Sequence, residues 1–128
     1  MPFTKRIKVS LEDLDDLNHV NNVRYVQWIQ DISKEHWTKM APVEIQNKVI
    51  WVVLKHTIEY KSPAILNDPI IVSTYIESSK GPISIRIVEM FHEITNTLLV
   101  RSSTEWCLLN KDTHKPIRIS EDIQRIFS

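Results

Sequence analysis

The side chains most able to do chemistry crowd into one stretch, Asp13-Leu14-Asp15-Asp16-Leu17-Asn18-His19-Val20-Asn21-Asn22-Val23-Arg24-Tyr25. A cluster of carboxylates is followed by Asn18-His19, and a long run without Pro or Gly opens after them. Asp, Asn and His suit the start of a helix, because their side chains accept hydrogen bonds from its unpaired N–H groups. Those donors, backed by the helix dipole, favour negative charge. A carboxylate held beside them is placed to attack a carbonyl carbon, or to activate a water that does so, while the amides grip the oxyanion. One such donor is typically worth about 3–4 kcal/mol.

Other chemistries find less support. His36, His56, His92 and His114 lack the paired spacing of a zinc site, so no metal and no cofactor are expected. Cys107 sits in a strand pattern with no basic neighbour to activate it, and reads as a packing residue. As the single cysteine it excludes an internal disulfide framework and fits a reducing compartment. Gly81 is the only glycine, which excludes phosphate loops built from several. The 16 basic and 16 acidic residues balance, so no global field draws nucleic acid or an anionic membrane. Met1-Pro2-Phe3-Thr4-Lys5-Arg6 has no signal-peptide character, and no apolar run is long enough to span a bilayer. The expectation is a soluble, cytoplasmic protein.

The length, 128 residues, suits a single domain over 1–128. Residues 3–11 alternate through Ile7, Val9 and Leu11 as a half-buried strand does. A helix of about five turns follows from Val20 to Met40. Tyr25, Trp28, Ile29, Ile32 and His36 share one face; Val23 and Val26 lie off it, which predicts burial on several sides. Ala41-Pro42 ends the helix and residues 43–48 read as a polar loop. Val49 to Leu54 is a continuous β-prone run, predicted to bury both faces, and the strand extends to Tyr60. Further strands are predicted at 70–78, 83–93 and 98–109, with turns at Asn67-Asp68-Pro69, Lys80-Gly81-Pro82 and Asn96. In the 83–93 strand the apolar phase switches after Ile87, which suggests a bulge or two buried faces. Val100, Ser102, Thr104, Trp106 and Leu108 share a side of the next strand, and Ser120 can cap a short terminal helix. The order β-α-β-β-β-β predicts an α+β fold, an antiparallel sheet around one long helix. One helix cannot cover such a sheet, so a homodimer or dimer of dimers is expected, with the 49–54 strand near the boundary.

With the elements in this order, the chain resembles the hot-dog acyl thioesterases, the 4-hydroxybenzoyl-CoA thioesterase-like group and its acyl-ACP thioesterase relatives. The resemblance rests on Asp13-x-Asp15-x-x-Asn18-His19-Val20-Asn21-Asn22-x-x-Tyr25, with Glu59-Tyr60-Lys61-Ser62-Pro63-Ala64 and Asn67-Asp68 further on, and covers essentially the whole chain. It implies a hot-dog fold and hydrolysis of an acyl-CoA or acyl-ACP thioester. It implies Asp15 as the catalytic carboxylate, nucleophile or base, and the backbone N–H of Asn22 as the carbonyl-polarising group. His19 either joins the chemistry or caps the helix. Asn21 and Tyr25, which complete the motif, are candidate substrate contacts. Leu17 and Pro63 stand where plant acyl-ACP thioesterases carry an Asn and a Glu, so that constellation is incomplete here. Lys61, Lys80, Arg86 and Arg101 are candidates to meet phosphates from strand ends, or are solvated charges. Trp28, Trp37 and Trp51 point to an acyl cavity that is limited in size or lined by aromatic rings. The alternatives are a non-catalytic acyl-CoA binding module and a hot-dog hydratase or dehydratase.

Overall fold

The computed structural model describes residues 2–127. The chain runs through β1 (Phe3–Lys8), a 3-10 turn (Leu11–Asp13), α1 (Asn22–Met40), α2 (Val43–Gln46), β2 (Val49–Tyr60), β3 (Pro69–Lys80), β4 (Ile83–His92), β5 (Leu98–Asn110) and α3 (Glu121–Ile126). Among the described residues the strands form one antiparallel sheet in the order β1-β3-β4-β5-β2. This is the expected hot-dog arrangement, one long helix against one antiparallel sheet.

The turns are where the sequence places them. Asn18, Asn67, Asn96 and Gly81 all have positive φ, which Asn tolerates and Gly adopts freely. Asn96 closes β4 onto β5 and Gly81 closes β3 onto β4. Ser120 caps α3 through Ile123 N–H at 3.3 Å. Residues 43–46 are a short helix rather than loop; Gln46 Nε2 donates to the carbonyls of Thr38 and Ala41 and folds it back on the end of α1.

α1 begins two residues later than predicted, at Asn22, with Asn21 as its N-cap. It buries Tyr25, Trp28, Ile29 and Ile32 against Ile70 and Val72 of β3, Val88 and Met90 of β4 and Val100 of β5. Fully burying one such side chain stabilises by about 1.5–3 kcal/mol. Only this face is buried in the single chain: Val23 is 70% exposed, against the expectation of burial on several sides. A second cluster joins Val49 and Leu108 to Ile119 and Ile123 at the α3 end.

Two strand expectations change. The 49–54 run does not bury both faces in the single chain, because β2 is a sheet edge and Leu54 is 60% exposed. The continuous apolar run conceals a bulge at Leu54, after which the side facing Trp106 and Thr104 continues through His56. In β4 the register is regular through the apparent phase switch. Ser84, Arg86, Val88 and Met90 face the core, while Ile83, Ile85 and Ile87 take the other side; Ile87 and Val88 are both fully buried. The inner side is therefore polar at one end and apolar at the other, which reads in sequence as a shift of phase.

Candidate active site

The motif is a closed loop. Leu14 and Val20 form an isolated antiparallel bridge. Between them Asp15 N–H donates to the His19 carbonyl at 2.8 Å and Asn18 N–H to the Asp15 carbonyl at 3.0 Å. Asn18 supplies the positive φ of 61° that this tight turn needs. The loop is tied to the β2–β3 crossing by Val20 N–H to the Ala64 carbonyl at 2.9 Å, with Ala64 fully buried. Val9, after β1, exchanges hydrogen bonds with Asn67 and Asp68 of the same crossing. Both motif segments found in the sequence thus meet in space.

Asp15 is half-buried. Its Oδ1 accepts Leu17 N–H at 2.9 Å and His19 N–H at 3.2 Å. Those bonds fix the carboxylate, and Oδ2 takes no hydrogen bond from the described residues. The imidazole of His19 makes no hydrogen bond to Asp15; only the backbone of His19 engages it.

The helix start is laid out to leave one donor over. Asn21 Oδ1 accepts Val23 N–H at 3.0 Å and the Asn21 carbonyl accepts Arg24 N–H at 2.9 Å. Asn21 N–H donates to the Asp13 carbonyl at 2.8 Å. The N–H of Asn22, first residue of α1, has no acceptor among the described residues. Asn21 is therefore a cap by its side chain, and Asn22 offers the open donor.

Asp13 is not a solvated member of the carboxylate cluster. It is buried, with Oδ1 on Arg24 Nε at 2.8 Å and Oδ2 accepting Ser10 N–H at 2.8 Å and Ser10 Oγ–H at 3.1 Å. This clamp fastens the first turn of α1 to the turn after β1. Arg24 was absent from the sequence-based candidates; the signal for the clamp was Ser10 three residues before Asp13, a capping-box spacing.

The remaining candidates do not converge. Tyr25 is buried, edge-on to Trp28 with ring centres 5.6 Å apart, and 5.9 Å from the ring of Tyr60. Burial raises its pKa, partly offset by the Ala64 backbone, and its hydroxyl makes no hydrogen bond of good geometry. Lys61 is exposed and pairs with Glu59 at 2.9 Å. Lys80 is exposed at the opposite end of the sheet. Arg86 is not at a strand end or on a solvated surface; it is 4% exposed, inside the sheet. Arg101 stands 3.7 Å from Glu89.

A cavity of about 390 Å³ lies between the sheet and the C-terminal half of α1, with Trp37 and Trp51 in its wall as an aromatic lining requires. Trp28 belongs to the core instead. From Asn22 to Ser33 in the cavity wall is about 16 Å along the helix axis. Within one chain the cavity and the motif are separate places. Among the described residues no His, Cys, Asp and Glu cluster could hold a metal ion, and no helix is long and apolar enough to cross a membrane.

Residues 1–127 match the family model for the acyl-ACP thioesterase N-terminal domain. The chain belongs to the acyl-ACP thioesterase family. No curated protein matches it significantly. Among solved structures it is similar to the probable thioesterase YbaW of Escherichia coli, with 20% identity, TM-score 0.84 and coverage of 96% of this chain and 94% of that one. A 1,4-dihydroxy-2-naphthoyl-CoA thioesterase of Synechocystis matches with 17% identity, TM-score 0.84 and coverage of 99% and 96%. A Staphylococcus aureus protein in complex with CoA matches with 19% identity, TM-score 0.87 and coverage of 98% and 81%. At these identities the likeness establishes the shared fold of this acyl-ACP thioesterase family member.

Proposed function

We propose that this chain hydrolyses an acyl thioester, carried on CoA or on acyl carrier protein, to the free acid and the thiol. The observation that carries the reading is the pairing of an anchored carboxylate, with Oδ2 of Asp15 unused, and an uncommitted helix-start donor, the N–H of Asn22, on the two sides of one closed loop. The thioester carbonyl oxygen rests on the Asn22 N–H. Asp15 either takes a proton from a water as that water attacks the carbonyl carbon, or attacks it directly and forms a mixed anhydride that water then opens. In both routes the C–S bond breaks, the sulfur leaves as thiolate and is protonated, and the acyl group departs as the acid. Acceptor-free Asn22 N–H meets the charge that develops on oxygen.

The family assignment supports thioester hydrolysis, and the CoA bound to the Staphylococcus aureus relative supports a CoA carrier without excluding the protein carrier. His19 assists at most through space, since its imidazole does not touch Asp15. Tyr25 underpins the first turn, and Lys61 opens the β2–β3 crossing, whose Ala64 carbonyl accepts Val20 N–H of the motif. A homodimer, or a dimer of dimers, pairing through the open edge of β2 would cover Leu54 and the other half-exposed apolar residues of that strand. The test is thiol release from a panel of acyl-CoA and acyl-ACP substrates, with Asp15→Asn as the comparison. A panel cleaved equally well by the variant would remove Asp15 from the mechanism.

A further inference from the structure

Arg86 has no carboxylate partner among the described residues. It sits in the inner side of β4, and its Nη1 donates to Thr74 Oγ1 at 2.9 Å and reaches His36 Nδ1 at 3.0 Å. The guanidinium lies 4.9 Å from the centre of the Phe127 ring. Its Nε and Nη2 donors have no acceptor among the described residues, and its one histidine neighbour is neutral at physiological pH. Burial lowers the Arg86 pKa to about 10, which leaves it cationic at neutral pH. A buried cation without a counter-charge is costly, since both its hydration and a partner are missing.

The cavity beside it has the matching chemistry. Arg86 lines it together with Trp37, Trp51 and Trp106, and Lys34 adds a second cation from the solvent side. The indole N–H groups of Trp51 and Trp106 are shielded from solvent and lack acceptors. No Asp or Glu lines the cavity among the described residues. The donors left for a ligand are therefore those of Arg86, set in an aromatic wall, and about 390 Å³ is within the range of small-ligand sites.

We propose that this cavity binds an apolar carboxylic acid, with its carboxylate on the Arg86 guanidinium and its hydrocarbon part against Trp37, Trp51 and Trp106. A carboxylate supplies acceptors for Arg86 Nε and Nη2 and a charge opposite to the guanidinium's, and the fork of the guanidinium suits it. An ammonium or a second guanidinium is repelled, and a neutral alcohol satisfies one donor and no charge. The assignment goes beyond the thioesterase reading and does not depend on it, because Asp15 and the helix start take no part.

The experiment titrates the purified, native protein with decanoate, decanol and decylamine below their aggregation limits, and with 2-naphthoate as an aromatic acid. Tryptophan fluorescence and melting temperature are the readouts, since three of the lining residues are tryptophans. Decanoate or naphthoate should saturate at one site per chain, at least about tenfold tighter than decanol, with decylamine weaker still. Whichever acid binds better identifies the hydrocarbon class. Arg86→Gln should reduce the acid's affinity to that of the alcohol. Ser84→Leu narrows the cavity without removing a guanidinium bond and should also weaken the acid at least about tenfold, so the test survives misfolding of the first variant. Asp15→Asn should bind the acid as the native chain does, which separates this outcome from any failure of hydrolysis. Equal affinity for acid and alcohol, unchanged binding in Arg86→Gln or Ser84→Leu, or no response to either acid overturns the proposal.

Discussion

Arg86 Nη1 lies 3.0 Å from Nδ1 of His36, so the sheet and the helix are joined in the core by a cation facing an imidazole. Arginine offers only donors. Nδ1 must therefore be the acceptor, and the proton of the neutral ring is on Nε2. Burial, and then the charge of Arg86, lower the His36 pKa to about 4.

That value sets a pH dependence of stability. Above about pH 6.5, the ordinary histidine value, the ring is neutral in both the folded and the unfolded chain and contributes no slope. As pH falls from 6.5 toward 4, the unfolded chain takes up the proton and the folded chain does not. Stability is lost over that window, by up to about 3 kcal/mol from this group. Burial lowers His56 as well, with the same sign. Urea unfolding at pH 7.5 and 5 should show the loss, and His36→Gln should shrink it. A variant with the native slope would exclude His36 as its source.

The clamp at the start of α1 makes a second prediction. Asp13 is buried and accepts from Arg24 and twice from Ser10, whereas Arg24 keeps part of its side chain in solvent. Asp13→Ala strands three donors and should cost about 2–4 kcal/mol. Arg24→Ala leaves the Ser10 bonds intact and should cost less, about 1–2 kcal/mol. Chemical denaturation of both variants gives the comparison; the reverse order would mean that the arginine's packing over Trp28, 5.9 Å from the ring centre, outweighs the carboxylate's bonds.

At the motif, Asp15→Asn keeps an oxygen to accept the Leu17 and His19 amides, so its unfolding free energy should change by less than about 1 kcal/mol. Thiol release should nonetheless fall by about a thousandfold or more, since the amide is neither base nor nucleophile at neutral pH. His19→Ala should fall by less than about tenfold, because the imidazole has no bond to the carboxylate. Steady-state rates on one acyl-CoA separate the two. Equal losses would restore His19 to a direct part.

How much of this was readable beforehand depends on what each residue type can hide. Asn18, Asn67 and Asn96 announced their turns because few side chains accept positive φ. The buried face of α1 was readable because a 3.6-residue period leaves little choice. Arg86 was not readable: alternation assigns β4 residues to two sides but does not say which is inside, and the isoleucines pointed to the wrong one. The bulge at Leu54 was hidden because a run in which every residue is apolar carries no phase. Asp13 was hidden because its partner, Arg24, lies across a loop whose closure depends on Asn18 and the Leu14–Val20 bridge.

The donor at Asn22 can be removed without removing its side chain's neighbours. Position N1 of a helix accepts proline, because its N–H makes no intrahelical bond and its φ is already near the value the ring imposes. Asn21 before it is extended, at φ −65° and ψ 135°, the conformation that proline requires of the residue ahead of it. Asn22→Pro should therefore fold with a stability within about 1 kcal/mol of the native chain. It should still lose about a hundredfold to a thousandfold in kcat, the usual consequence of deleting one oxyanion donor. Asn22→Ala keeps the N–H and should retain most activity, although it loses the same side chain. The contrast between the two variants isolates the backbone: if Asn22→Pro turns over as fast as Asn22→Ala, the amide of Asn22 does not hold the oxyanion, and the carbonyl must be polarised from elsewhere.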